Sequence, residues 1–114
     1  MERKPLSIPV NITVTGASGT NKGSGSNTTP SNSAVADAGG YMKQIVIHPP
    51  HDTDTYDYRI VNVSGHIVFL RTGLNGDYAE DVETPLPAGT YACYISEATN
   101  NGVYAIEIIY AEVY

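Results

Sequence analysis

The chain has 114 residues, of which 41% are hydrophobic, and its 12 acidic and 6 basic side chains give a formal net charge of −6 at pH 7. This length allows one domain at most. The chain contains no apolar run long enough to span a membrane, and its single cysteine, Cys93, excludes an internal disulfide.

The charge is unevenly distributed along the chain. Residues 1–43 carry four basic and two acidic side chains, whereas residues 44–114 carry two basic and ten acidic ones. An acidic body argues against a nucleic-acid partner, because phosphate binding requires clustered Lys and Arg. A mildly basic first segment instead suggests docking on an acidic surface, such as that of a sister subunit.

The first predicted element covers residues 6–15, where apolar and other residues alternate without an error. This period of two predicts a half-buried strand, and Pro9, which has no N–H to donate, places the strand at a sheet edge. We predict an extended N-terminal arm whose apolar face binds a partner protein. The predicted partner-binding residues are Leu6, Ile8, Val10, Ile12 and Val14.

Residues 15–40 have a different composition, since 18 of these 26 residues are Gly, Ser, Thr or Asn and none is aromatic. Such a tract buries too little apolar surface to offset the entropy lost on ordering. We therefore predict a flexible tract that becomes ordered only in an assembly. The predicted domains are an arm and tract over 1–40 and a β-sandwich over 41–114.

The body is predicted to contain only strands. Alternating or apolar runs predict strands at 41–48, 56–63 and 66–72, an acidic connector or short edge strand follows at 78–84, and a hairpin turning at Asn100-Asn101-Gly102 ends the chain. No segment has helical periodicity. These features predict an all-β fold, a small antiparallel β-sandwich or jelly-roll-like domain.

Nine tyrosines and no tryptophan occur in the chain, and all nine lie at or after Tyr41. Tyrosine is enriched where proteins meet, but it is also an ordinary strand former, and both interpretations remain open. Some tyrosines, such as Tyr94, are predicted to point outward. Both faces of the last strand are apolar, which predicts that both are covered.

Two segments contain side chains that could bind a metal. His48 and His51 precede Asp52 and Asp54, and residues 75–81 are rich in oxygen ligands. We interpret both as solvated loops, because the prolines of the first splay its side chains and the second lacks the alternate-position spacing of an EF-hand. The chain also lacks a nucleophile elbow and a phosphate-binding loop, so we expect no cofactor and no enzymatic activity.

The order of these parts is informative: a basic arm, a Gly/Ser/Asn tract, and an acidic, Tyr-rich sandwich containing the corner Leu86-Pro87-Ala88-Gly89-Thr90-Tyr91. In this layout the chain resembles the small cement or decoration proteins of tailed-phage capsids. The resemblance implies a homo-oligomeric structural protein on the capsid surface that clamps neighbouring subunits of the major capsid protein. It implies no catalysis, no nucleic-acid partner and no membrane partner.

Two alternatives remain open at this point. Another virion component, such as a neck, tail or fibre-attachment protein, would have the same physical features and a different partner. A carbohydrate-binding module would need an exposed aromatic platform, for which Tyr56 and Tyr58 are the candidates.

Overall fold

The computed structural model describes residues 6–112, except for the side chain of Glu112, and residues 1–5, 113 and 114 lie outside the description. The predicted basic charges at Arg3 and Lys4 therefore lie outside the described residues. No described helix is long and apolar enough to cross a membrane. The elements in chain order are β1 Leu6–Val14, β2 Gly23–Thr28, α1 Ala34–Asp37, β3 Gly40–His48, β4 Thr55–Val61, β5 Ile67–Asn75, β6 Tyr78–Leu86, β7 Ala92–Ala98 and β8 Gly102–Glu112.

The strands form two antiparallel four-stranded sheets. The first sheet has the order β1-β8-β3-β6 and the second has the order β2-β7-β4-β5. Alternate residues of each strand point into a common core, where Ile45, Ile60, Cys93 and Ile106 are almost fully buried. The all-β sandwich predicted from the sequence is confirmed.

The N-terminal segment is a strand of this sandwich. β1 pairs with β8 in an unbroken register from Leu6–Tyr110 to Val14–Gly102. Four of the five residues predicted to bind a partner are at most 4% exposed, and Leu6 alone remains 40% exposed. In the structure Ile8, Val10, Ile12 and Val14 do not form an extended arm, because their apolar face lies in the core and is covered by the chain's own second sheet. The edge position indicated by Pro9 is confirmed, since β1 ends the first sheet.

The Gly/Ser/Asn tract is folded onto the body as well. Its strand β2 pairs with β7, and an isolated bridge between Thr15 and Ser24 links it to the end of β1. The tract also contains α1, which is capped by the Ser33 side chain and buries Val35 completely. The predictions of a disordered linker and of a domain boundary after residue 40 are therefore not supported.

Glycine explains why so polar a tract can pack against the body. A Cβ atom on Gly25 would lie 2.2 Å from the carbonyl oxygen of Thr13, and one on Gly23 would lie 2.8 Å from that of Thr15. Without side chains at these positions, the backbone of β2 approaches that of β1 directly and joins the two sheets along one side of the sandwich.

An ion pair joins the sheets on the opposite side. Arg71 of β5 donates from Nε and Nη2 to the two carboxylate oxygens of Glu80 of β6, both at 2.7 Å. The Tyr78 hydroxyl also donates to this carboxylate. These hydrogen bonds hold the pKa of Glu80 well below its usual range, at about 2, with the Arg71 guanidinium as the largest cause.

We expect Glu80→Gln to lower the melting temperature at pH 7 and to have a shrinking effect as the pH falls. Because the pKa is depressed in the folded state, the stabilisation is complete above the ordinary carboxyl pKa of about 4.3 and is lost as the pH falls from there to about 2. Thermal unfolding of both proteins between pH 7 and pH 2.5, followed by circular dichroism, tests this. An equal difference in melting temperature at both ends of that range would contradict it.

Candidate functional site

Each of the two histidines of the candidate metal loop lies close to a different aspartate. His48 Nδ1 is 3.4 Å from Asp77 Oδ1, and His51 Nδ1 is 3.5 Å from Asp54 Oδ2. The Asp54 carboxylate is fully buried and accepts hydrogen bonds from the His51 N–H and the Asn100 side chain. Within residues 6–112, no group of three or more His, Cys, Asp or Glu side chains could hold a metal ion.

The second candidate loop packs against the first. The Gly76 N–H donates to the Asp54 carbonyl at 2.8 Å, and a Cβ on Gly76 would lie 2.4 Å from the Asp52 carbonyl oxygen. The Tyr56 hydroxyl donates to the Gly76 carbonyl from inside the core. Asp54 and the Gly76 backbone are therefore used to join two loops at one end of the sandwich.

Most of the described tyrosines belong to the interior. Tyr56, Tyr58, Tyr91, Tyr104 and Tyr110 are buried. The glycan platform predicted at Tyr56 and Tyr58 is therefore wrong, and so is the interface interpretation for these five residues. Four of them donate their hydroxyls to backbone carbonyls of loops or strand ends: Tyr56 to Gly76, Tyr91 to Pro87, Tyr104 to Asn100 and Tyr110 to Leu86.

These hydrogen bonds give the corner at residues 86–91 a structural role. The Tyr91 hydroxyl returns to the carbonyl of Pro87 four residues upstream at 2.6 Å, in the manner of the tyrosine corner of other β-sandwiches. Tyr104 makes the same type of contact with Asn100 at 3.0 Å. Both tyrosines thus fasten a turn to the strand that follows it.

Tyr58 is the exception among the buried tyrosines. Within the described part of the chain, its hydroxyl is buried without a hydrogen bond of normal geometry, and the group that it interacts with is the Cys93 thiol, a weak acceptor. Burial raises the pKa of Cys93 to about 11. A thiol with so high a pKa is almost entirely protonated at neutral pH, so Cys93 acts as a small, fully buried core residue.

Removal of the Tyr58 hydroxyl and removal of the Tyr104 hydroxyl are expected to have opposite effects on the stability of the fold. Tyr58→Phe should be neutral or stabilise the fold by about 1 kcal/mol, because an unsatisfied buried hydroxyl is removed. Tyr104→Phe should destabilise it by about 1 kcal/mol, because the Asn100 carbonyl loses its donor. Urea unfolding measures both. A Tyr58→Phe variant as destabilised as Tyr104→Phe would indicate that the contact of the Tyr58 hydroxyl with Cys93 stabilises the fold as much as an ordinary hydrogen bond.

The outer face of the second sheet carries the main exposed apolar group. Around the turn between β4 and β5, Val63 is 90% exposed, Ile67 is 54% exposed and Leu70 is 45% exposed. We call these three residues the hairpin patch. Register places Leu70 opposite Arg59 and Ile67 opposite Val61 on this face. Exposed apolar groups of this kind are typical of surfaces that bind other proteins.

Next to the hairpin patch lies a row of residues that crosses the sheet. Leu70 of β5, Arg59 of β4, Tyr94 of β7 and Ser26 of β2 are neighbours in register. The Arg59 guanidinium lies over the Tyr94 ring, with Cζ 4.2 Å from the ring centroid. Tyr94 therefore points outward, as predicted, and holds a cation at the centre of this face.

The outer face of the first sheet also carries apolar side chains. Ile109, Ala105 and Val46 are half-buried there, and Glu107 accepts a hydrogen bond from Ser7 at 3.3 Å. Of the two faces of β8 that were predicted to be covered, the inner one is fully buried and the outer one is partly exposed, with Val103 at 51%.

Comparison with known proteins gave few matches. No protein-family model matches the chain, and a comparison with curated proteins found no match. One solved structure that matches the chain is the enzymatically active domain of tailspike protein 4 of bacteriophage CBA120, with a TM-score of 0.38 and 14% identity. The match covers 94% of this chain and 19% of that chain. A TM-score of this size is too low for the likeness to bear on function.

Proposed function

We propose that the protein is a non-enzymatic structural component of a virion, of the capsid decoration class. In this proposal it attaches to neighbouring subunits of the major capsid protein through the hairpin patch rather than through an N-terminal arm. The single observation that carries this attachment surface is the exposure of Val63, Ile67 and Leu70 around the turn between β4 and β5.

The rigidity of the sandwich supports this role. Its two sheets are joined by β1 and β2 on one side and by the Arg71–Glu80 pair on the other, and four tyrosine hydroxyls are bonded to loop or strand-end carbonyls. A preorganised module loses little conformational entropy on binding, so that a small apolar contact yields more affinity. Many copies on a repeating surface would add to this effect.

The position of the patch also supports attachment at an edge. β5 ends the second sheet, so the free edge of this strand lies beside Ile67 and Leu70. Unpaired N–H and C=O groups at such an edge can pair with a strand of a partner, while the apolar side chains fill pockets on it. A capsid subunit or a second copy of this chain could supply that strand.

The proposal is tested with particles of the encoding phage assembled without this protein. We expect purified protein to bind such particles, and Ile67→Asp with Leu70→Asp to weaken binding about tenfold or more, because two charges would be desolvated in an apolar contact. The matched control is Asn11→Asp with Thr13→Asp, which adds the same charge to exposed positions of β1 on the other sheet.

Circular dichroism establishes that each variant is folded, and electron microscopy of labelled protein locates it on the capsid, neck, tail or fibre. Equal binding by the patch variant and the control would overturn the role of the hairpin patch. A label on the tail or neck would replace the capsid role with another virion role, and absence of the protein from purified virions would overturn the proposal as a whole.

A further inference from the structure

A groove of about 250 Å³ lies on the outer face of the second sheet. Tyr94 and Arg59 line it, together with the hydroxyl-bearing residues Ser24, Ser26 and Ser96. Its volume lies just below the range of about 300–1,000 Å³ that is typical of drug-sized ligands. The groove therefore suits a single small unit, such as one sugar ring.

Arg59 is the group in this groove that has no partner of opposite charge. Within residues 6–112, its guanidinium forms neither an ion pair nor a hydrogen bond, whereas Lys43 is paired with Glu83 and Arg71 with Glu80. The Tyr94 ring lies against one side of this half-buried guanidinium, with Cζ 4.2 Å from the ring centroid. A guanidinium presented in this way matches the geometry of a carboxylate, which it binds with two parallel hydrogen bonds.

We propose that this groove binds a saccharide that carries a carboxylate, of the uronic or sialic acid type. The guanidinium of Arg59 would bind the carboxylate, and the hydroxyls of Ser26 and Ser96 would exchange hydrogen bonds with those of the sugar. The part of the Tyr94 ring that Arg59 does not cover would contact the apolar C–H groups of the sugar ring.

The charge of the whole protein favours this class over simple anions. With a net charge of −6, the molecule repels anions at a distance, so a bare anion gains little from the single guanidinium of Arg59. A ligand that also makes hydroxyl hydrogen bonds and a ring contact gains enough to overcome that repulsion.

The first experiment uses the full chain on an array of uronate- and sialate-containing oligosaccharides, with their carboxyl methyl esters and neutral counterparts alongside. We expect binding to acidic glycans and binding weaker by about tenfold or more to the same glycans as esters, because the bidentate contact is lost. Failure of every acidic glycan to bind would overturn the proposal, as would equal binding of acids and esters.

The second experiment locates the site by NMR titration with the best acidic glycan and with acetate. We expect the amide signals of Ser26, Arg59 and Ser96 to shift with the glycan, and about tenfold weaker binding by Arg59→Lys and by Tyr94→Ala. Tyr41→Ala, an exposed tyrosine on the other sheet, is the matched control and should bind normally. Equal shifts with acetate, or normal binding by both folded groove variants, would contradict the assignment.

Discussion

Ile12→Asp is expected to unfold the domain. Ile12 is fully buried in the middle of β1, opposite Tyr104 of β8. Replacing it removes an apolar side chain worth about 2–5 kcal/mol and places a carboxylate in the apolar core. A domain of this size has a total stability of about 5–15 kcal/mol, so this one substitution removes most or all of it.

Thr13→Asp is the matched control for this prediction. Thr13 is the next residue of the same strand, is exposed, and pairs with Val103. It should leave the far-ultraviolet circular dichroism and the cooperative urea transition nearly unchanged, since exposed substitutions usually change stability by about 0.5 kcal/mol or less. A folded Ile12→Asp protein with only a binding defect would mean that β1 acts as an arm after all.

A comparison of β1 with its prediction shows which features of a strand a periodic sequence pattern can predict. Alternation from Leu6 to Val14 correctly indicates a strand with one buried face, and Pro9 correctly indicates an edge. The pattern contains no information about which surface covers that face. The covering partner depends on contacts with β8 and the second sheet, which are remote in sequence, so arm and core strand look the same in the sequence.

The tyrosines and the candidate site show the same limit. Period-two patterns placed Tyr94 on an outer face correctly, but no local pattern reveals that the hydroxyls of Tyr91 and Tyr104 reach loop carbonyls. The pairing of Tyr94 with Arg59 arises from the register between β4 and β7. Residues 35 positions apart in the chain become neighbours only after that register is fixed, so the groove could not be predicted.

The structure of the Gly/Ser/Asn tract differs from its prediction for another reason. Its composition was judged by the apolar surface that its side chains can bury, and by that measure it should be disordered. In the structure much of its contact is made by backbone, through the pairing of β2 with β7 and the close approach of Gly25 to Thr13. A prediction from composition considers only the side chains, so it does not detect backbone packing that depends on the absence of a side chain.

The last prediction tests that packing directly: Gly25→Ala should be strongly destabilising. The new Cβ would lie 2.2 Å from the Thr13 carbonyl oxygen, 2.9 Å from its carbonyl carbon and 3.1 Å from Cγ2 of Ile12. Two of these atoms are backbone atoms of β1, which is held by its hydrogen bonds to β8, so they cannot move aside cheaply. Overpacking usually costs about 1–3 kcal/mol, and this contact should cost the upper part of that range or more.

Two further substitutions in β2 make the prediction quantitative. Gly23→Ala brings a Cβ to 2.8 Å from the Thr15 carbonyl oxygen and should destabilise less, while Ser26→Ala changes an exposed side chain and should have little effect. Alanine also restricts the unfolded chain, which returns about 0.4–1 kcal/mol and is too little to cancel the clash at Gly25. Free energies of urea unfolding should therefore fall in the order Ser26→Ala, Gly23→Ala, Gly25→Ala. Equal stability of all three would mean that β2 does not pack on β1 and that the tract is the flexible linker its composition suggests.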